Sequence, residues 1–176
     1  MGQVKLKTVQ TAMKDPGKCT VCGDELKQGG PYRYFKPQFR GNRKVVRCMK
    51  PECTPRRSEL ELSKLSGVFA AQEDAESAID SAESIEDIQS ALEDCSGSVQ
   101  EVIDEYEQAI EAMPALEANT RDTIDTLESY ISDLDGFSPD EPDADEEDDE
   151  KYAKELAESL ETAKEEARDI VNGLAL

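Results

Sequence analysis

From Ile85 onward the apolar positions advance by alternating steps of three and four: Ile85, Ile88, Leu92, Cys95, Val99, Val102, Tyr106, Ala109, Met113 and Leu116. Such spacing keeps one stripe on one face of an α-helix, the seam of a coiled coil or of an antiparallel helical hairpin. The stripe resumes at Leu127, Tyr130, Leu134 and Phe137, and a looser version precedes it at Leu60, Leu65, Val68, Phe69, Ala75, Ala78, Ile79 and Ala82. Punctuation falls at three places. Gly97 stands before Ser98-x-x-Glu101, a capping-box pattern; Pro114 cannot continue a straight helix; Asn119-Thr120 offers a new cap and Gly136 a stop. The pattern predicts helices over 59–95, 98–117 and 120–135 that fold back on one another, in preference to one long rod. A last amphipathic helix is expected over 151–176, on Ala153, Leu156, Leu160, Ala163, Ala167, Ile170 and Leu174. About three heptads are marginal alone, so it must pack on the hairpin, self-associate or dock.

The first 58 residues follow a different rule. Val4, Leu6 and Val9 alternate like a strand, and Asp15-Pro16-Gly17 turns the chain. Gly29-Gly30-Pro31 leads into an aromatic stretch from Tyr32 to Phe39, and Gly41-Asn42 turns into Val45 and Val46. Strand, turn, strand is the economical reading, a β-hairpin. Ser58-x-x-Glu61 then opens the helical region.

That hairpin lies between two cysteine pairs. Cys19 and Cys22 form C-x2-C, 25 residues follow, and Cys48 and Cys53 form C-x4-C. Each close pair spans a tight turn that aims two sulfurs at one point, the requirement of a tetrahedral four-thiolate Zn2+ site. Gly23, directly after the second cysteine, has the freedom to reach positive φ there. The segment holds too little apolar material to fold unaided, and zinc binding of ~10–16 kcal/mol apparent affinity would supply the difference. Knuckle, hairpin and ligands at a helix start together resemble the treble-clef and zinc-ribbon class of four-cysteine fingers over residues 15–62. The x4 gap is wider than that class usually has. A four-cysteine head on an acidic helical body also resembles the small zinc-finger plus helix proteins of phages. The resemblance implies one structural zinc ion held by Cys19, Cys22, Cys48 and Cys53.

Charge sharpens the division. The 176-residue chain carries a formal −21, with 37% hydrophobic and 35% charged residues. Residues 1–60 hold 14 Lys or Arg against five acids, a formal +9, whereas the rest hold 6 basic and 36 acidic residues, a formal −30. Phe137 to Glu150 reads as an acidic linker, with Ser138-Pro139, Pro142 and nine acids from Asp140 to Glu150. It lacks the glycine and ligand spacing of an EF-hand loop, so a self-repelling tether is expected.

Chemistry in the head rests on Arg33, Lys36, Arg40, Arg43, Lys44 and Arg47 interleaved with Tyr34 and Phe39. Cations neutralise phosphates while aromatic faces stack on bases, the combination used for single strands. A basic face that docks an acidic protein surface is the alternative, and the aromatics also serve as the finger's small core. The absence of His removes the usual general base, and neither a nucleophile–base pair nor a phosphate-binding glycine loop is visible, so catalysis is not expected. An apolar leader and a membrane span are lacking, and Leu6 stands where a myristoylation signal wants Ser or Thr. An intracellular location, in the cytoplasm or at the nucleoid, follows, with Cys95 a free thiol on the helical seam. The expected protein is a zinc-binding, non-enzymatic interaction protein: nucleic acid at the head, self-association or a protein partner at the helices. The rival is an adaptor or nucleic-acid mimic acting through the acidic body.

Overall fold

The computed structural model describes residues 4–37, 44–139 and 149–174, with the backbone alone over 149–152. Two compact units divide the chain, Met1–Phe69 and Ala70–Leu176. The first carries small antiparallel sheets around the cysteines, and the second is helical.

In the first unit, strands β1 (Lys7–Val9), β4 (Tyr32–Phe35) and β5 (Val45–Arg47) make an antiparallel sheet in the order β1-β4-β5. The expected hairpin is β4–β5; its turn, Gly41-Asn42, lies outside the described residues, as does Phe39 at the end of the aromatic stretch. The N-terminal alternation does become a strand, and it pairs with β4 in the register Lys7↔Tyr34 and Val9↔Tyr32. A second hairpin, not anticipated, joins β2 (Gly17–Lys18) to β3 (Glu25–Leu26) around the first cysteine pair. The Asp15-Pro16-Gly17 turn is closed by the Gly17 N–H donating to Asp15 Oδ1 at 2.8 Å, with Gly17 at φ 85°.

The helix start departs from expectation. A single turn, α1 (Arg57–Leu60), is boxed by Arg56 and Glu59, whose Oε2 accepts from Arg56 N at 3.0 Å. Glu61 lies past that turn, buried, and accepts from Leu62 N, Ser63 N and Ser63 Oγ at 2.8–3.1 Å. The chain is extended at Glu61, so the predicted 59–95 helix begins only at α2 (Leu65–Ser81), which runs from one unit into the other.

In the second unit, α3 (Ile85–Ala112) passes straight through Gly97. The expected break there does not occur: Ser98 Oγ donates to the Asp94 carbonyl at 2.9 Å as an ordinary mid-helix hydroxyl. The real boundary is Ser84, whose Oγ accepts from Asp87 N at 3.1 Å while Asp87 Oδ2 accepts from Ser84 N at 2.9 Å. This reciprocal box satisfies donors that the first turn leaves orphaned. α3 ends at Ala112, five residues short of the predicted 117, because Pro114 opens a 3-10 turn, Pro114–Leu116, that runs into α4 (Glu117–Asp135) three residues earlier than predicted. Gly136 closes α4 in a right-handed conformation, φ −79°.

The seam of α3 is buried from Ile88 through Val102, joined by Ala91 and Ile103, and α4 faces it with Ile124, Leu127, Tyr130 and Leu134. Cys95 meets Tyr130 (Sγ to Oη 3.9 Å), and Leu92 lines a cleft with Leu134, so the two helices run antiparallel. The seam does not reach its predicted end: Met113 and Leu116 are exposed at the turn. Helix α5 (Asp149–Asn172) buries Ala163, Ala167 and Val171, whereas Leu156 is exposed. Each fully buried Ile or Leu here is worth about 1.5–3 kcal/mol relative to exposure, which identifies the apolar seams as what holds so acidic a unit together. No described helix is long and apolar enough to cross a membrane.

Candidate metal centre

The four cysteines of the head converge. The Sγ atoms of Cys19, Cys22, Cys48 and Cys53 all lie within 4.8 Å of one another, and Cys22 and Cys48 sulfurs are 3.8 Å apart. Four Zn–S bonds of ~2.3 Å in a tetrahedron place sulfurs ~3.8 Å apart, whereas a disulfide needs ~2.05 Å. The donor set and its spacing therefore fit one zinc ion. An ion bound there would have all four positions of its tetrahedron taken by protein thiolates, the closed form in which a metal builds structure.

Local folding explains the convergence. Cys19 N donates to Asp24 O at 2.9 Å, and Gly23 N donates to Cys19 O at 3.0 Å, with Gly23 at φ 77°. These bonds curl Cys19–Asp24 into a knuckle. Thr20 ties it to the sheet, donating from both N and Oγ1 to Val46 O at 2.9 and 3.0 Å. The second pair comes off β5: Cys48 N donates to Cys19 Sγ at 3.4 Å, and a 3-10 turn, Pro51–Cys53, carries Cys53 back to the cluster. This turn is what the wide x4 gap encodes. Across the two knuckles Lys50 Nζ meets Asp24 Oδ2 at 2.8 Å.

Cys19, Cys48 and Cys53 are buried, with Leu26 packed on them, and Cys22 is exposed. The ligand cluster is thus itself a core of the head. Burial opposes ionisation of Cys19, but N–H groups of Cys48, Cys22 and Val21 outweigh it and bring the thiol down to about 6. Burial, reinforced by the three neighbouring thiols, pushes Cys53 up to about 12. Sulfurs this close resist ionising together, and a divalent cation removes that conflict.

The cations named from the sequence fall on two faces of the sheet, because strand side chains alternate and cross-strand partners share a face. Arg33 and Arg47 are partners. Arg33 Nη1 donates to Thr54 Oγ1 at 2.6 Å, and Arg47 is buried with its Nη2 on Glu59 Oε1. Arg47, expected among the phosphate-binding cations, instead spends its charge inside the head. On the other face are Tyr34 and, continuing the alternation beyond the strand ends, Lys36 and Lys44. Lys44 Nζ sits 4.5 Å from the Tyr34 ring centroid, and Tyr32 lies 6.0 Å from it, tilted by 32°. Phe39, Arg40 and Arg43 lie outside the described residues. Lys5 and Lys7, which the sequence reading passed over, join this face; the cross-strand pair Lys7↔Tyr34 places them, and the alternation 5, 7 was the available signal.

Cys95 is buried among the helices with Tyr130, away from any second thiol among the described residues. No protein-family model, curated protein or solved structure matches the chain.

Proposed function

We propose that the chain is a non-enzymatic binding protein whose head, folded around one structural zinc ion, contacts nucleic acid, while the helical unit self-associates or recruits a protein partner. One observation carries this reading. Lys5, Lys7, Lys36 and Lys44 are gathered on one exposed sheet face, and none makes an ion pair among the described residues. Four like charges held together are unfavourable unless an anion neutralises them. With four thiolates and Zn2+ contributing −2, the formal +9 of residues 1–60 remains near +7, so the metal leaves the head basic. Cys19, Cys22, Cys48 and Cys53 would hold the ion, which supplies folding free energy to a unit with a small core.

The rival reading assigns the activity to the formal −30 of the helical region, as a docking surface or phosphate mimic. The discriminating experiment measures binding of zinc-loaded full-length protein to fluorescent oligonucleotides across a salt series. Affinity that falls steeply with salt, and disappears when Cys22→Ser removes the metal, supports the head. Absence of binding at low salt moves the function to the helical unit.

A further inference from the structure

The four lysines surround a groove of about 470 Å³, lined by Val4, Lys5, Lys7, Tyr34, Lys36, Lys44 and Leu62. Its volume lies within the ~300–1,000 Å³ of clefts that hold small organic ligands. The make-up of the groove is uneven in a useful way. Its lining combines four lysines with one aromatic ring and two aliphatic side chains. The apolar part of the lining is anchored: Val4 N donates to Leu60 O at 2.8 Å, which fixes the N-terminal segment beside the chain leading to Leu62. Tyr34 is held from below by β4, the central strand, paired on both sides.

We propose that this groove is a subsite for one unstacked nucleotide of a single-stranded nucleic acid, its base on Tyr34 and its flanking phosphates on Lys5, Lys7, Lys36 and Lys44. This rests on the reading of the head as a nucleic-acid binder and goes beyond it by choosing the strand state and the site. A duplex presents phosphates outward and keeps its bases stacked, so it engages the lysines but has nothing for the aromatic ring and its aliphatic neighbours. An extruded base has a π-face for Tyr34, and its sugar covers Val4 and Leu62. Lys44, 4.5 Å from the centroid of the same ring, places a cation where a phosphate next to a stacked base would need one. An acidic peptide matches the lysines but leaves the Tyr34 ring without a partner of its own kind. Residues from both β1 and β4 build the groove, which explains why a pattern read along the β4–β5 hairpin alone found half of it.

The test uses full-length, zinc-loaded protein and a fluorescent oligothymidylate, alone and as a duplex with oligoadenylate, with polyglutamate as competitor. The variants are Tyr34→Leu, the pair Lys5→Gln/Lys7→Gln, and a control pair outside the groove, Lys14→Gln/Lys27→Gln. The expected result is single strand bound at least about tenfold tighter than duplex, with Tyr34→Leu losing roughly tenfold on the single strand and little on the duplex. The Lys5/Lys7 pair should weaken binding and flatten the log–log salt slope by about 1.4, the value for two phosphates of a single strand. Metal content and circular dichroism establish that each variant is folded; should Tyr34→Leu unfold, the two exposed lysines carry the test. If the parent protein binds but the groove variants bind equally well, or duplex is preferred, or polyglutamate competes as well as oligothymidylate, the subsite is overturned while the basic head stands. If the parent protein binds neither oligonucleotide, the reading of the head itself fails.

Discussion

The Tyr130 hydroxyl donates to the Val171 carbonyl at 2.8 Å, tying α4 to the last turn of α5. Gln72 Nε2 from α2 donates to the same oxygen at 2.6 Å and approaches Tyr130 Oη at 3.4 Å. The final carbonyls of a helix have no partner within it, so this oxygen receives from two side chains what its own helix cannot give. Three helices meet on one acceptor. Tyr130→Phe should cost about 1 kcal/mol at neutral pH, because Gln72 still satisfies the carbonyl and the loss is one short hydrogen bond with the longer contacts to Gln72 Nε2 and Cys95 Sγ. Urea unfolding followed by helicity measures it. A loss below a few tenths would mean the Gln72 bond alone suffices for the Val171 carbonyl.

Alkaline pH should act on the same cluster. Burial pushes the Tyr130 phenol well above its usual range, with Cys95 adding to it, and burial likewise pushes the Cys95 thiol up. Both are acids that stay neutral longer in the folded state. Their contribution is complete below the unfolded values, about 8.5 for Cys and 10 for Tyr, and declines as pH rises past them, where the unfolded chain ionises and the folded one resists. Stability should therefore fall above about pH 9, and Tyr130→Phe should blunt the part above pH 10. A flat profile to pH 11 would show that both groups ionise freely in place.

Legibility in the sequence differed by element and for physical reasons. Ligation is local at each knuckle, so C-x2-C and C-x4-C announced a cluster that the fold does assemble. The seam from Ile88 to Val102 was equally plain, since a helix repeats its own period. Helix boundaries were not. Gly97 looks like a break in sequence, but twelve residues of α3 precede it and a single glycine cannot interrupt a helix whose other face is packed. Ser84-Ile85-Glu86-Asp87 held the true start, with Asp in the position where Glu or Gln is usually sought. The burial of Arg47 and the place of Lys7 beside Tyr34 were not legible, because which face a strand residue takes depends on partners from other segments, which single-strand alternation does not contain.

Two glycines should respond oppositely to alanine. Gly97 lies exposed within α3, and nothing approaches within 4 Å of where a Cβ would stand. Gly97→Ala should stabilise the helical unit by about 0.5–1 kcal/mol by lowering the entropy lost on folding. Gly23 also has open space but sits at φ 77°, so Gly23→Ala meets backbone strain of about 1–2 kcal/mol. Since that backbone shapes the Cys19–Asp24 knuckle, the strain should appear as roughly tenfold weaker zinc affinity in a chelator competition. Equal zinc affinity would mean the knuckle relaxes without the left-handed residue.

Removing one thiolate tests the centre directly. Cys22 is exposed, so Cys22→Ser creates no cavity and isolates ligation from packing. Zinc content should fall from about one equivalent to near zero, and the head should lose its fold, because Cys19, Cys48 and Cys53 form its buried cluster only when their charges are compensated. Far-ultraviolet helicity should persist, since the helical unit has a core of its own. Full zinc retention would dismiss the four-cysteine site.

Arg47 and Glu59 separate structure from binding on the two sides of one sheet. The Arg47 guanidinium is buried on Glu59, and its Nε finds no hydrogen-bond partner among the described residues. Removing the acid strands a buried charge, whereas replacing the cation by an apolar chain of similar length removes the need for it. Glu59→Gln should therefore cost the head about 2 kcal/mol, less than for a fully buried pair because Glu59 is partly exposed, and Arg47→Met should cost under about 1 kcal/mol. The urea midpoint of zinc release measures both. Arg47→Met should also leave oligonucleotide affinity within about twofold of the parent's, since Arg47 shares its face with Arg33 and the groove opens on the face of Tyr34. If Arg47→Met instead weakens binding as strongly as Lys5→Gln/Lys7→Gln does, with zinc retained, the nucleic acid reaches around the sheet and the division into a structural face and a binding face is wrong.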